Sequence, residues 1–189
     1  MLSPRGGYVF KEEKQVKNQH IDIIQGDGRN LSLFKDNSFD VILCLGPLYH
    51  LPSDSDKRQC IEECVRVIKP NGVIAFSYIN NFAALVEKMR NHPSILTKEN
   101  VFNALDNFTL DGPFCFLNPE KIEQLLTDYP LNIKHHIATD GLSYSLKDKI
   151  NTLSDDAFNV WFYYHLKTCE EKSLLGYSMH GLVITQKIL

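Results

Sequence analysis

The sequence predicts an α/β fold, with short buried strands alternating with amphipathic helices around a single core. Three observations predict it. First, the run Val41–Leu45 is apolar, starts after Asp40 and stops at Gly46-Pro47. A run that short, bounded by breakers, reads as a strand buried on both faces, as in parallel sheets sandwiched between helices. Second, Ile61, Cys64, Val65 and Ile68 recur at helical spacing within Ser53–Pro70, which predicts an amphipathic helix of about five turns. Third, Pro70-Asn71-Gly72 stops that helix and turns into Val73–Ile79 (VIAFSYI), a second apolar run rich in strand-forming residues. Strand, helix and strand at this spacing form a βαβ unit with a right-handed crossover and parallel strands.

The remaining elements follow in order. Residues 1–20 are polar; Ser3-Pro4 suits a helix start, and Gly6-Gly7 argues against one. His20–Gln25 (HIDIIQ) alternates and is rich in Ile, which predicts a strand, ended by Gly26-Asp27-Gly28. Asp36-Asn37-Ser38 is a turn into the central strand. Ser53 or Asp54 caps the long helix, with Asp56 in its first turn. Asn81–Arg90 reads as a helix; 91–117 carries no clear pattern. Asn118 caps a helix from Pro119 to about Tyr129, and Ile133–Ala138 is a strand. Ser154 caps a helix running to about Leu175, with Gly176 beyond its end. His180–Ile188 is the last strand. With no repeats and no low-complexity segment, residues 1–189 read as one domain.

Composition bounds the function. The chain has 189 residues, 43% hydrophobic and 23% charged, with a formal net charge of -3. That balance gives no electrostatic case for nucleic acid. No run approaches the roughly 20 apolar residues of a membrane span, and no apolar signal core opens the chain, so the expected location is cytoplasmic. The five cysteines include no CxxC and read as free thiols in a reducing compartment. Cys60 and Cys64 share a helix face, yet the sequence offers no second ligand pair, so core packing is the expectation and no metal is expected. His135 and His136 are neighbours in a strand and point to opposite faces, which disfavours a shared metal.

In open α/β sheets, ligands bind outside the carboxyl ends of the strands. This places a binding site at Cys44–His50, where Tyr49 and His50 supply side chains able to hydrogen-bond.

Five pieces now stand in register: IDIIQGDGRNL (Ile21–Leu31), SFDVILCLGPLYHL (Ser38–Leu51), RVIKPNG (Arg66–Gly72), VIAFSYI and the closing HGLVITQK. Together they resemble the class I S-adenosylmethionine-dependent methyltransferases of the type 11 kind. The resemblance covers about residues 2–90 and 118–189. It implies a Rossmann-like fold with a mostly parallel sheet of strand order 3-2-1-4-5-7-6, flanked by helices. The pieces look like strands three, four, five and seven; 119–129 and 133–138 take the places of the helix before strand six and of strand six itself. It also implies S-adenosylmethionine as cofactor and direct-displacement methyl transfer, most readily to a small-molecule acceptor.

The resemblance also assigns residues. Asp27 accepts a hydrogen bond from the adenine amino group while the Gly28 amide meets a ring nitrogen; a carboxylate beside a backbone N–H complements both edges. Asp between glycines equally suits a turn. The backbone of Cys44, Leu45 and Gly46 faces the methionine part, although Gly46 also serves to turn the chain. Leu48 packs on the adenine or in the core. Tyr49 and His50 lie near the methyl donor, and His50 can orient or deprotonate an acceptor, cap the next helix or hydrogen-bond a loop carbonyl. Trp161, Tyr164 and His165 share one helix face; the helix either covers the acceptor site or packs its aromatic face on the sheet.

One departure stands out. The family's glycine-rich loop after strand one is absent: no GxGxxG or GxGxG occurs. Leu2-Ser3-Pro4 looks like the segment that follows the acidic residue ending strand two. The expectation is therefore a truncated fold without its first two strands, leaving strand four with a bare edge. Either His20–Gln25 moves to pair with strand four, or two chains form a homodimer through that edge. The alternative to an enzyme is a non-catalytic interaction module dimerising in this way. A nicotinamide-dependent oxidoreductase is disfavoured, because its glycine fingerprint is equally missing.

Overall fold

The structure is a computed structural model that describes residues 22–110 and 112–189. The described chain forms a four-stranded sheet with helices packed against it. The strands are β1 (Phe39–Cys44), β2 (Ile68–Ile79), β3 (Leu131–Ala138) and β4 (His180–Lys187). Their order is β1-β2-β4-β3. β1 and β2 run parallel, and β4 is antiparallel to both β2 and β3. Three strands thus point one way and β4 alone opposes them. The same order, four-five-seven-six, is expected from the resemblance.

Helix α1 (Asp54–Val67) connects β1 to β2. Ser53 is its cap: the Ser53 hydroxyl accepts the Asp56 N–H at 3.0 Å. The helix ends at Val67 rather than Pro70. Pro70 disfavours a helical conformation at Lys69, and Ile68 before that is already extended. Pro70-Asn71-Gly72 instead forms a bulge in β2, with Phe39 opposite Ile68 and Val41 opposite Val73. Asn71 takes the left-handed conformation there (φ 64°). The Lys187 ammonium donates to the carbonyls of Val65 and Ile68, satisfying helix-end acceptors that would otherwise lack partners.

Helix α2 (Asn81–Asn91) follows β2 at once, capped by Asn80, whose side chain accepts the Phe82 N–H and donates to the Leu175 carbonyl. The segment without a sequence pattern contains α3 (Lys98–Leu105), capped by Thr97. Helix α4 (Pro119–Thr127) is capped by Asn118, as its Asn-Pro start predicts. The predicted helix from Ser154 to Leu175 is broken in two: α6 (Asp155–Thr168) and α7 (Lys172–Leu175), with the single turn α5 (Lys147–Ile150) ahead of them. The break lets the Ala138 N–H bond to the Cys169 carbonyl, docking the helix end on β3.

The larger core lies between the sheet and helices α1 and α4: Ile74, Phe76 and Tyr78 of β2 meet Ile61, Ile122 and Leu125. A second cluster gathers at the carboxyl end of β2, where Ile79 and Met179 meet Ala83, Ala84, Ala104 and Phe116.

Three expectations need correction. The strand expected at His20–Gln25 is absent where it can be seen: residues 22–25 form no regular structure, and 20–21 lie outside the described residues. β1 is not buried on both faces; Val41 is 57% and Leu43 67% exposed, because no described helix covers that face. Nor does α6 press an aromatic face into the sheet. None of its residues is buried, and Trp161 instead donates from Nε1 to the Ser143 hydroxyl at 2.9 Å in the loop after β3. Among the described residues, no helix is long and apolar enough to cross a membrane.

Candidate functional site

The carboxyl end of β1 feeds into a short 3₁₀ turn, Pro47–Tyr49, and this is the point on which the predicted residues converge. Asp27 and Gly28 sit in a tight turn in which the Asn30 N–H bonds to the Asp27 carbonyl at 2.9 Å. That turn packs directly on the β1 exit: a Cβ at Gly28 would lie 3.5 Å from Pro47 Cγ and 3.4 Å from Cys60 Sγ. These are ordinary van der Waals distances, so the turn lies in direct contact with the β1 exit. Two stretches about twenty residues apart in sequence, 27–28 and 44–50, are thus one wall in space.

The Asp27 carboxylate is already engaged. Arg29 donates from its backbone N–H to Oδ1 at 2.9 Å, and from Nη2 to Oδ2 at 2.6 Å. The hydrogen bonds from Arg29 hold the Asp27 carboxyl below its ordinary range. Arg29 also reaches Asp56 Oδ1 at 2.7 Å, tying the turn to the start of α1. Further along, Glu63 and Arg66 of α1 clamp the incoming chain. Glu63 accepts the Leu31 N–H, and Arg66 donates to the carbonyls of Leu31 and Phe34.

Cys44 ends β1 with its thiol buried beside Cys60, Sγ to Sγ 4.0 Å. Leu45 is exposed, and its carbonyl accepts the Tyr49 hydroxyl at 3.1 Å. Gly46 is buried. Leu48 is fully buried (0%) within the larger core, so it takes the packing role of its two expected ones and offers no surface to a ligand. Tyr49 and His50 lie together, ring centroids 5.0 Å apart, with Phe114 5.2 Å from His50. The Cys115 N–H bonds to the Tyr49 carbonyl and pins this loop in place. His50 does not cap α1, where Ser53 serves. Burial pulls the His50 imidazole below its usual value, so it is neutral at neutral pH.

Sequence reasoning missed Arg29, Phe114 and a pair at the same end of the sheet. Asp140, just past β3, accepts from His180 Nδ1 at 2.9 Å and from the His180 N–H at 3.1 Å. Burial opposes ionisation of Asp140, but its hydrogen bonds with His180 and Ser178 outweigh it and hold the carboxyl low. The Asp27-x-Arg29 spacing could have flagged the first of these; nothing in sequence links Asp140 to His180. The two neighbouring histidines do point apart. His135 is exposed beside Glu170, whereas His136 is buried between Tyr78 (2.9 Å) and Glu123 (2.7 Å).

Comparison with known proteins bears on this geometry. Residues 3–76 match the model of the methyltransferase domain family. A ubiquinone biosynthesis O-methyltransferase of Coxiella burnetii is 34% identical over 107 residues, covering 56% of this chain and 38% of that protein. The enzyme of the same name from Pasteurella multocida is 48% identical over 46 residues, 24% of this chain and 18% of that one. The match thus spans about two fifths of the Coxiella relative's length. Among solved structures, an S-adenosylmethionine-dependent methyltransferase from Methanosarcina mazei superposes with a TM-score of 0.51 at 16% identity, covering 87% of this chain and 66% of that one. Residues 3–76 are thus similar to the methyltransferase domain family, and the described sheet with its helices has the class I methyltransferase fold.

Proposed function

We propose that this chain acts in S-adenosylmethionine-dependent methyl transfer to an oxygen of a small-molecule acceptor. The observation that carries the reading is the packing of the Asp27-Gly28 turn against the carboxyl end of β1. That packing supports reading Asp27-Gly28 as an adenine-recognising pair beside a backbone wall at the carboxyl end of β1, where ligands bind in such sheets.

The residues fit one side of the cofactor. The Asp27 carboxylate, kept ionised by Arg29, can accept from an adenine amino group through lone pairs that the guanidinium leaves free. Gly28 allows a ring to approach its backbone. The exposed Leu45 and the buried Gly46 shape the side toward the methionine part. Among the described residues, no glycine-rich loop contributes to the other side. When bound, the cofactor supplies a methyl group already activated on sulfur, so the protein's task is alignment more than acid–base chemistry. His50, neutral and edged by Tyr49 and Phe114, is placed to orient an acceptor hydroxyl or take its proton. The relatives named O-methyltransferases support an oxygen acceptor. Transfer of a labelled methyl group to a panel of phenols tests the reading; retention of all label by the cofactor, with the chain folded, refutes it.

A second reading has its own observation. Among the described residues β1 pairs only with β2, and Val41 and Leu43 expose an apolar face beside its open edge. Such an edge invites another strand, which supports a homodimer through β1. Light scattering on the full chain tests this: a dimer that Leu43→Lys converts to monomer supports it, and a monomeric parent overturns it.

A further inference from the structure

The sequence presents Cys60 and Cys64 as one face of a helix and no more. The structure adds a third thiol from another element. Cys44, at the last position of β1, meets both of them, and the three Sγ atoms all lie within 4.8 Å of one another. All three are buried, at 4%, 1% and 4% exposure for Cys44, Cys60 and Cys64. The chain's other two cysteines, Cys115 and Cys169, lie elsewhere on partly exposed segments. Three thiols turned inward on one point are more than small apolar packing requires, since alanine or valine fills such space without a proton to lose.

We propose that Cys44, Cys60 and Cys64 form a three-sulfur site for a single thiophilic d10 ion of the Cu(I) kind. Soft thiolates select such ions. Metal–sulfur bonds of about 2.3 Å in a trigonal plane place the sulfurs about 4 Å apart. The Cys44–Cys60 separation is 4.0 Å, so that edge of the triangle already has the required length. The remaining edges close by less than an ångström, within the range of a rotamer adjustment on α1. No fourth His, Cys, Asp or Glu joins the group among the described residues, and burial keeps bulk water from the fourth position. That favours a three-coordinate ion over zinc, which completes a tetrahedron.

The electrostatics agree with the geometry. The Cys44 thiol lies 4.0 Å from Cys60 Sγ, and that contact together with burial pushes the Cys44 thiol up. On binding, the ion forms three metal–sulfur bonds and the thiol protons leave to solvent. The site clamps β1 to α1 directly beneath Gly28, whose Cβ position is 3.4 Å from Cys60 Sγ. It does not depend on the methyl-transfer reading.

The test uses the full, reduced chain under argon, titrated with Cu(I) held by a chromogenic chelator. The expected result is withdrawal of one equivalent, with X-ray absorption reporting sulfur-only coordination by three atoms. Cys60→Ala should lose the bound equivalent, and so should Cys44→Ala, each checked for an unchanged far-ultraviolet spectrum; the two positions lie on different elements. The double variant Cys115→Ser/Cys169→Ser should retain it. No withdrawal of Cu(I) by the folded parent overturns the proposal. So does binding that survives both Cys60→Ala and Cys44→Ala, or that vanishes in the Cys115/Cys169 variant.

Discussion

Replacing Gly181 by alanine tests the packing that sets the sheet's central seam. Gly181 of β4 lies opposite Tyr78 of β2, and the tyrosine ring covers it. A Cβ there would stand 2.2 Å from Tyr78 Cε1 and Cζ and 2.4 Å from the hydroxyl oxygen. Carbon atoms rest about 3.5–4.0 Å apart, so ring and backbone must separate by more than an ångström. The ring has little freedom to yield, because Tyr78 is fully buried and hydrogen-bonded to His136 at 2.9 Å. Overpacking costs about 1–3 kcal/mol, and loss of the buried hydrogen bond adds about 1 kcal/mol. The sum is about 2–4 kcal/mol. For a chain of this length each kcal/mol moves the midpoint by about 2–4 °C. Calorimetry should therefore place Gly181→Ala about 4–16 °C below the parent. Tyr78→Leu, which lacks the clashing atoms, should make the double variant less destabilised than the sum of the singles by about 1 kcal/mol or more. A Gly181→Ala midpoint within about 2 °C of the parent would refute the reasoning.

Ser53→Ala removes the α1 cap and should cost about 1 kcal/mol in urea unfolding; Ser53→Gly should cost less. Arg66→Ala should leave the global midpoint little changed but speed proteolytic nicking within 31–37, because its bonds to Glu63 and to the Leu31 and Phe34 carbonyls hold that segment on α1. Asp140 has a folded value below its ordinary 3.8, so its contribution is complete above that pH and is lost as pH falls through the lower folded value. Acid titration of unfolding should show a smaller loss below pH 4 in Asp140→Asn than in the parent. His50→Gln should slow methyl transfer while leaving cofactor affinity within a factor of two or so, since His50 is assigned to the acceptor.

The strands were legible because they rest on local patterns, and their order in the sheet followed from the family resemblance. Apolar runs bounded by Pro, Gly and Asp placed β1, β2 and β4, and Ser53, Asn118 and Ser154 marked helix starts by their cap chemistry. Exposure was not legible in the same way. Val41–Leu45 has the composition of a strand covered on both faces, but coverage is set by what packs there, and β1 lies at the edge of the described sheet. The α1 end was misplaced because Pro70 acts one residue upstream and the bulge at 70–72 belongs to the strand. For the candidate site, the stretch 44–50 was proposed from the strand end and residues 27–28 from the family resemblance; the structure shows the two in contact through Gly28 and Pro47. The Arg29 clamp on Asp27 is local and its spacing was overlooked, whereas the Asp140–His180 pair and the approach of Cys44 to Cys60 are tertiary contacts that no spacing in the chain encodes.

The central claim is that the turn at Asp27 and the end of β1 form a cofactor wall. Calorimetric titration of the full chain with S-adenosylhomocysteine tests it most directly. The account predicts one site with a dissociation constant on the order of micromolar, about −8 kcal/mol, weakened at least tenfold in Asp27→Ala while the variant's melting midpoint holds. No heat of binding at millimolar ligand with the chain folded, or equal affinity in Asp27→Ala, would contradict it.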